Sequence, residues 1–147
     1  MPMRQFFGCL STFNFSLYTS YMLYTRKGDT GTTKVFNSEP GQRISKSSAI
    51  AEALGSLDEV NSFLGLCKVK AKDLGFRILD LSLEEITHRT QQNLFIVQAE
   101  LAGAPKSISK DKITEVESLI DAIEKELPPI KTFFISGGTE LAAMFDV

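Results

Sequence analysis

The stretch ALGSLDEVNSFLGL, residues 53–66, has the apolar spacing of a long amphipathic helix. In and around it, apolar side chains recur at steps of three and four residues, at Ile50, Ala53, Leu54, Leu57, Val60, Leu64 and Cys67. Steps of this size place side chains on one face of a helix. The pattern predicts a first helix over residues 46–73, with Gly75 as its C-terminal stop.

Two further helices are predicted on the C-terminal side of this stretch. Ser82 and Glu85 have the spacing of a capping box, and the apolar periodicity continues from them to predict a helix over residues 83–102. A third helix is predicted over residues 110–127, capped by Ser109 and ended by the Pro pair that follows.

The predicted fold class is all-α. No strand pattern of comparable strength is found, and residues 131–147 carry a Gly pair followed by the beginning of a fourth helix. Three amphipathic helices must pack against each other and against further elements, because packing supplies most of a helix's stability. We therefore expect a helical bundle. The sequence encodes about three and a half of its helices, and we expect the C-terminal part of the bundle to be missing.

Composition describes an ordinary globular domain and excludes one class of partner. Apolar residues make up 43% of the 147 and charged residues 23%, and the formal net charge is −2. An acidic balance of this kind gives no basic face for nucleic acid. Cys9 and Cys67 have no CxxC spacing, which favours a reducing, cytoplasmic compartment. The single histidine, His88, has no ligand cluster at suitable spacing, so no protein metal site is predicted.

The first 21 residues differ from the rest of the chain. They contain no acid and one arginine, and no apolar run approaches the ~20 residues of a membrane span. One interpretation is a transit peptide for the mitochondrial matrix, although its Arg-rich signature is weak. The other, which the sequence favours, is an upstream extension before a domain over residues 22–147 that starts at Met22.

The loop YTRKGDTGTTK, residues 24–34, has the composition of an anion site. Gly28 and Gly31 allow backbone N–H groups to approach an anion, and threonine hydroxyls and three cations surround them. The loop lacks the Gly-Lys-[Ser/Thr] ending of a Walker A motif. It therefore permits polyphosphate binding, and the alternative is a Gly-rich turn with solvated charges.

A second polar group lies on the first helix. Asp58, Asn61, Ser62 and Gly65 are three and four residues apart, which places them on one face beside the apolar stripe. A carboxylate and an amide there would be close to whatever packs on that face. The alternative is that Asp58 is a solvated helix acid.

Four segments together resemble the PduO-type ATP:cob(I)alamin adenosyltransferases in order and spacing. They are YTRKGDTG (24–31) followed by Lys46, ALGSLDEVNSFLGL (53–66), QQNLFIVQAELA (91–102) and LPPIKTFFISGG (127–138). The resemblance implies a five-helix bundle that forms a homotrimer with active sites between subunits. It also implies ATP and a cobalt(I) corrinoid, cobalamin or a relative, as substrates, with Mg²⁺ held mainly by the phosphates. The reaction that the resemblance implies is attack of cobalt(I) on C5′ of ATP, which expels triphosphate.

The resemblance also implies roles for individual residues. Asp58 matches the family acid that pairs with an arginine across the subunit interface, and Phe133 matches the aromatic residue that presses on the corrinoid and excludes a lower cobalt ligand. The residues that match the family's ATP site are Thr25, Arg26, Lys27, Gly28, Thr33, Lys34 and Lys46.

The sequence departs from the family in four places. An Arg-Arg-x-Glu-Arg stretch of the fourth helix and an asparagine of the fifth are absent, Ser136 stands where a proline is usual, and Gln98 stands where a glycine is usual. Two functions therefore stay open. One is an adenosyltransferase, and the other is a non-catalytic truncated homologue that binds nucleotide or corrinoid weakly or scaffolds a corrinoid partner.

Overall fold

Four helices form most of the described structure. The computed structural model describes residues 24–72 and 74–147, so the predicted extension over residues 1–21 lies outside it. In order, the helices are α1 (Ala49–Ala71), α2 (Leu83–Leu101), α3 (Lys110–Glu126) and α4 (Glu140–Phe145). The predicted all-α class is confirmed, and a total of five helices stays a prediction.

Two short antiparallel hairpins precede α1 and α2. Strand β1 (Thr32–Thr33) pairs with β2 (Ile44–Ser45), and β3 (Arg77–Ile78) pairs with β4 (Leu81–Ser82). The sequence pattern did not predict these strands, because two residues are too few to show the alternation that marks a strand.

The helix ends follow their capping residues. Helix α1 begins later than predicted because the side chain of Ser48 accepts a hydrogen bond from the Ala51 N–H and caps it. Lys46 consequently lies before the helix, at the end of a hairpin, and not at the helix start as expected. The capping box of α2 is confirmed: Ser82 Oγ accepts from the Glu85 N–H at 3.1 Å, and Glu85 Oε2 accepts from the Ser82 N–H at 2.7 Å. Ser109 is the N-cap of α3 but makes no side-chain cap bond.

Helices α1 and α2 pack side by side in opposite directions. Residues early in α1 meet residues late in α2, as in the hydrogen bond from Gln98 Nε2 to Asp58 Oδ1 at 2.8 Å. A second hydrogen bond lies further along α1 and nearer the start of α2, where Gln91 Nε2 donates to the backbone oxygen of Asn61 at 2.8 Å. The antiparallel order follows from the short β3–β4 connection between the two helices.

Ion pairs connect α4 to α1 and α3 to α2. Lys70 of α1 contacts Glu140 in the first turn of α4 at 2.8 Å, and Arg89 of α2 forms an ion pair with Glu115 of α3. The Arg89 guanidinium hydrogen-bonded to Glu115 is the main reason why the pKa of that carboxyl lies below its usual value. Both pairs lie at the surface, where such contacts contribute little stability.

The buried core sits where α1 ends and α2 begins. Among the described residues, the buried ones are Cys67, Ala71, Ile78 and Thr87, and of these Cys67 has no exposed surface. Many side chains of the predicted apolar stripes are instead exposed, including Val60 of α1 and Ile113, Val116 and Ile120 of α3. In residues 24–72 and 74–147, none of the helices has the length and apolar character needed to span a membrane.

Candidate functional site

An open cavity of about 440 Å³ lies between the predicted loop and the segment that precedes α1, and we call it the loop pocket. All seven residues that the sequence analysis assigned to a polyphosphate site line it. The lining residues are Tyr24, Thr25, Arg26, Lys27, Gly28, Asp29, Thr32, Thr33, Lys34, Arg43 and Lys46.

The β1–β2 hairpin brings the two sides of the loop pocket together. Thr33 pairs with Ile44 and Thr32 with Ser45, and the Lys46 N–H donates to the Gly31 carbonyl at 2.9 Å. These bonds place the backbone of Lys46 directly beside the glycine-containing turn. The pocket is therefore formed by two segments, 24–34 and 43–46, that are separated in sequence by residues 35–42.

The side chain of Arg43 stabilises the β1–β2 hairpin through two hydrogen bonds. Its Nε donates to Thr32 Oγ1 at 2.7 Å, and one terminal nitrogen donates to the Thr32 carbonyl at 2.8 Å. Two bonds from one planar guanidinium fix both the side chain and the backbone of Thr32. This contact sets the direction in which β1 leaves the loop.

Gly28 has an ordinary backbone angle, but a side chain at this position would be tightly packed. A Cβ on Gly28 would lie 3.2 Å from Cε and Nζ of Lys46 and 3.2 Å from the carbonyl oxygen of Thr32. The Lys46 ammonium therefore lies over this glycine. The left-handed positions of the loop are Arg26, at φ 57°, and Gly31, at φ 77°.

The loop pocket carries a strong excess of positive charge. Five cationic side chains and a single carboxylate, that of Asp29, line it. Arg26 is turned toward Tyr24, with its guanidinium carbon 5.2 Å from the ring centre. Within the described residues, Lys27, Lys34 and Lys46 form no ion pair. Three unpaired ammonium groups on one concave surface attract an anion of high charge.

Four lining residues were not among those the sequence analysis assigned to the site, namely Tyr24, Asp29, Thr32 and Arg43. A signal for Arg43 was present: the Pro-Gly turn at residues 40–41 lies between two short segments and is typical of a hairpin connection. Pairing those segments would have brought Arg43 back beside the loop, although it would not have identified Thr32 as its partner.

The predicted polar group on α1 is divided between two surroundings. Asn61 and Gly65 face α2. Gln91 Nε2 donates a hydrogen bond to the Asn61 backbone carbonyl, and the same nitrogen would lie 3.3 Å from a Cβ added at Gly65. Asp58 and Ser62 instead line a cavity of about 950 Å³ between α1 and the end of the chain. The Gln98 amide donates to the Asp58 carboxylate, so Asp58 is not simply a solvated acid.

Asp58 and Phe133 lie outside the loop pocket. Asp58 lines the α1 cavity, which shares no lining residue with the loop pocket. Phe133 lies in the segment between α3 and α4, with a relative exposure of 102%, and it lines neither cavity. Their assigned roles therefore stay predictions.

The described residues hold no protein cluster suited to a metal ion. No group of three His, Cys, Asp or Glu side chains meets in residues 24–72 and 74–147. His88 is exposed and lies near Lys68 and Gln92. Among the described residues, Asp29 is the one carboxylate that lines the loop pocket.

Comparison with known proteins connects this site to a family. Residues 23–147 match the family described as Cobalamin adenosyltransferase. The chain is 41% identical over 128 residues to the corrinoid adenosyltransferase PduO of Citrobacter freundii, across 82% of this chain and 35% of the relative. It is 34% identical to a second corrinoid adenosyltransferase of that organism, across 86% of this chain and 70% of the relative.

A solved structure has the same fold. It is a variant PduO-type ATP:corrinoid adenosyltransferase from Lactobacillus reuteri complexed with cobalamin and ATP, with a TM-score of 0.71 and 25% identity, over 85% of this chain and 68% of that one. The chain thus spans about a third of the length of the PduO relative and about two thirds of the others compared. Since the family match covers nearly all of the described residues, the chain belongs to the cobalamin adenosyltransferase family.

Proposed function

We propose that the loop pocket binds the polyphosphate of ATP and that the chain serves transfer of the 5′-deoxyadenosyl group from ATP to a cobalt(I) corrinoid. The observation that carries this proposal is the set of unpaired ammonium groups of Lys27, Lys34 and Lys46 on one concave surface. A triphosphate is the common ligand with enough charge and length to meet all three. The Lactobacillus relative binds ATP and cobalamin together, which supports both substrates.

The chemical work of these residues is positioning and charge stabilisation. The nucleophile belongs to the corrinoid, so the protein must hold C5′ in line with cobalt and stabilise the triphosphate as it departs. The backbone N–H of Gly28 makes no hydrogen bond within the described residues and can donate to a phosphate oxygen. Lys46 lies over the same glycine and can approach the same oxygen.

Mg²⁺ is proposed as the accompanying cation. When bound, it would supply further positive charge to the departing triphosphate. The phosphates would provide most of its ligands, and Asp29 is the only carboxylate that lines the loop pocket in the described part of the chain.

Phe133 is proposed to press on the corrinoid, and Asp58 is proposed to pair with an arginine across the subunit interface, in a homotrimer whose sites lie between subunits. Both side chains are exposed in the single chain, which leaves them accessible to a neighbouring subunit or to a corrinoid. A cytoplasmic location is proposed from the reducing environment that cobalt(I) needs.

Calorimetry with ATP, AMP and matched glycine variants tests the nucleotide site. We expect AMP to bind much more weakly than ATP, because each lost charge-assisted bond is worth roughly 1.5–3 kcal/mol. Gly28→Ala should also weaken ATP binding, since the new Cβ displaces Lys46. Gly55→Ala is the matched control, because a Cβ at Gly55 meets nothing within 4 Å. Equal affinities for AMP and ATP would contradict the proposal.

Adenosyl transfer is tested separately, by the absorption of cobalamin as it forms the cobalt–carbon bond. Transfer that slows in Phe133→Ala while ATP affinity stays unchanged would support contact of this residue with the corrinoid. ATP binding without any transfer by the chain would favour the second function, a nucleotide-binding homologue without catalytic activity.

A further inference from the structure

The end of α2 is packed against the chain that leaves the loop pocket. Two residues after Lys34, the Phe36 N–H donates to the Ala102 carbonyl at 2.8 Å. The next side chain, that of Asn37, lies directly on Gly103. A Cβ on Gly103 would come within 2.3 Å of Asn37 Cγ and 2.7 Å of Asn37 Cβ.

Gly103 has an ordinary structural role that must be separated from this contact. The Gly103 N–H donates to the Glu100 carbonyl and the Ala104 N–H to the Ala99 carbonyl, which is the Schellman pattern of a helix end. Its φ of 85° suits glycine at that position. A capping role alone, however, does not require that another segment lie within contact distance of its Cα.

The packing at Gly103 is too close for any side chain. Contacts below 3.0 Å force a movement, and here the nearest atoms include the Cβ of Asn37, which cannot move without its backbone. Asn37 belongs to a turn in which the Ser38 N–H donates to the Val35 carbonyl and the Val35 N–H donates to Ser38 Oγ. A displacement of Asn37 is therefore transmitted to Val35, which directly follows pocket-lining Lys34.

We propose that Gly103 is a positioning residue of the loop pocket, because its missing side chain lets the turn at residues 35–38 dock on the end of α2. The docked turn fixes the chain that follows Thr33 and Lys34, and with it one wall of the pocket. The consequence for ATP rests on the proposed function, whereas the docking itself does not.

Three variants of the full chain separate docking from helix capping. Gly103→Ala introduces both backbone strain and the collision with Asn37. Gly75→Ala is the control for strain, since Gly75 has a φ of 62° and a Cβ there meets nothing within 4 Å. The double variant Gly103→Ala with Asn37→Gly keeps the strain at residue 103 and removes the collision.

Two measurements are made on each variant. Amide exchange of Phe36, followed by NMR without nucleotide, reports docking through its bond to Ala102, and calorimetry reports the dissociation constant for ATP. We expect Gly103→Ala and Gly75→Ala both to lower Tm, while only Gly103→Ala accelerates exchange of Phe36. The same variant should raise the dissociation constant for ATP about tenfold, the factor that corresponds to the loss of one hydrogen bond to phosphate. The double variant should recover both properties.

Parent-like exchange of Phe36 in Gly103→Ala would overturn the proposal, and so would a double variant that recovers neither property. If Gly103→Ala does not fold, Asn37→Phe adds a ring to the same contact from the loop side and must give the same two effects. A parent chain that binds no ATP would refute the proposed function alone, and the exchange of Phe36 would then decide whether Gly103 positions the loop.

Discussion

At the residue scale, Arg43 shows how the loop pocket depends on geometry as well as charge. Its two hydrogen bonds go to one residue, Thr32, and not to a carboxylate. The positive charge of Arg43 is therefore not neutralised by its structural contact. The same guanidinium can hold the hairpin and still contribute to the potential that attracts an anion.

The first prediction separates these two contributions. Arg43→Lys keeps the charge but cannot make both bonds to Thr32, because an ammonium lacks the planar fork of a guanidinium. We expect Arg43→Lys to weaken ATP binding by roughly 1–2 kcal/mol, which is the contribution of one or two hydrogen bonds. Arg43→Ala should weaken ATP binding only slightly more. Calorimetry measures both.

Arg26→Lys provides the comparison at the same pocket. Among the described residues, the Arg26 side chain contacts only the exposed Tyr24, through its hydroxyl at 3.2 Å and through its ring, so exchange for lysine there should change the affinity less. If Arg43→Lys binds ATP as the parent does, charge alone accounts for Arg43, and the proposed geometric role is wrong.

At the element scale, the capping box sets where α2 starts and so where its side chains meet α1. The backbone N–H of Ser82 bonded to Glu85 is the largest cause that holds the pKa of the Glu85 carboxyl below its ordinary value of 4.5, and the Ser82 hydroxyl adds to it. A carboxyl with a lowered folded pKa stabilises the fold fully above the unfolded value. That stabilisation is lost as the pH falls through the lowered folded value.

The second prediction is therefore a pH dependence of unfolding. Glu85→Gln should lower Tm at neutral pH and should flatten the decline of Tm below about pH 4.5. Thermal melts of both proteins, followed by circular dichroism between pH 3 and 7, measure this. Glu84→Gln is the control, because Glu84 lies in the same first turn and takes no part in the capping box. If both substitutions change Tm equally, the interaction of the carboxylates with the helix dipole explains the result, and the capping box does not.

At the scale of the whole molecule, the core is small and lies at one end of the α1–α2 pair. Cys67 is its largest fully buried side chain, with no exposed surface. Burial raises the pKa of the Cys67 thiol above its ordinary value of 9.0. Both inaccessibility and the scarcity of thiolate make this cysteine unreactive while the core is closed.

The third prediction uses that thiol to report opening of the core. In a Cys9→Ser background, a thiol reagent at pH 7.5 should label no site in the native chain and one site in denaturant. Adding Leu66→Cys supplies a positive control, because the neighbouring Leu66 side chain is 49% exposed and should react at once. Rapid labelling of Cys67 in the native protein would show that the α1–α2 core is not closed in solution.

Local signals explain why so much of the helical structure could be predicted. Apolar periodicity and capping residues act within a few positions, so they place α1, α2 and α3 to within about three residues. The capping box at Ser82 and Glu85 is the clearest case, since both of its bonds form inside one turn. All seven residues that the motif resemblance assigned to ATP line the loop pocket, which Tyr24, Asp29, Thr32 and Arg43 complete.

Contacts between distant segments could not be predicted in this way. Arg43 reaches Thr32 and Asn37 reaches Gly103 only because a hairpin turns the chain back and α2 ends beside it. The Gln98 amide meets Asp58 for the same kind of reason, since it depends on the register of α1 against α2. Periodicity and caps act through neighbouring residues and are readable along the chain, whereas the walls of the pocket and the partner of Asp58 depend on how separate elements pack.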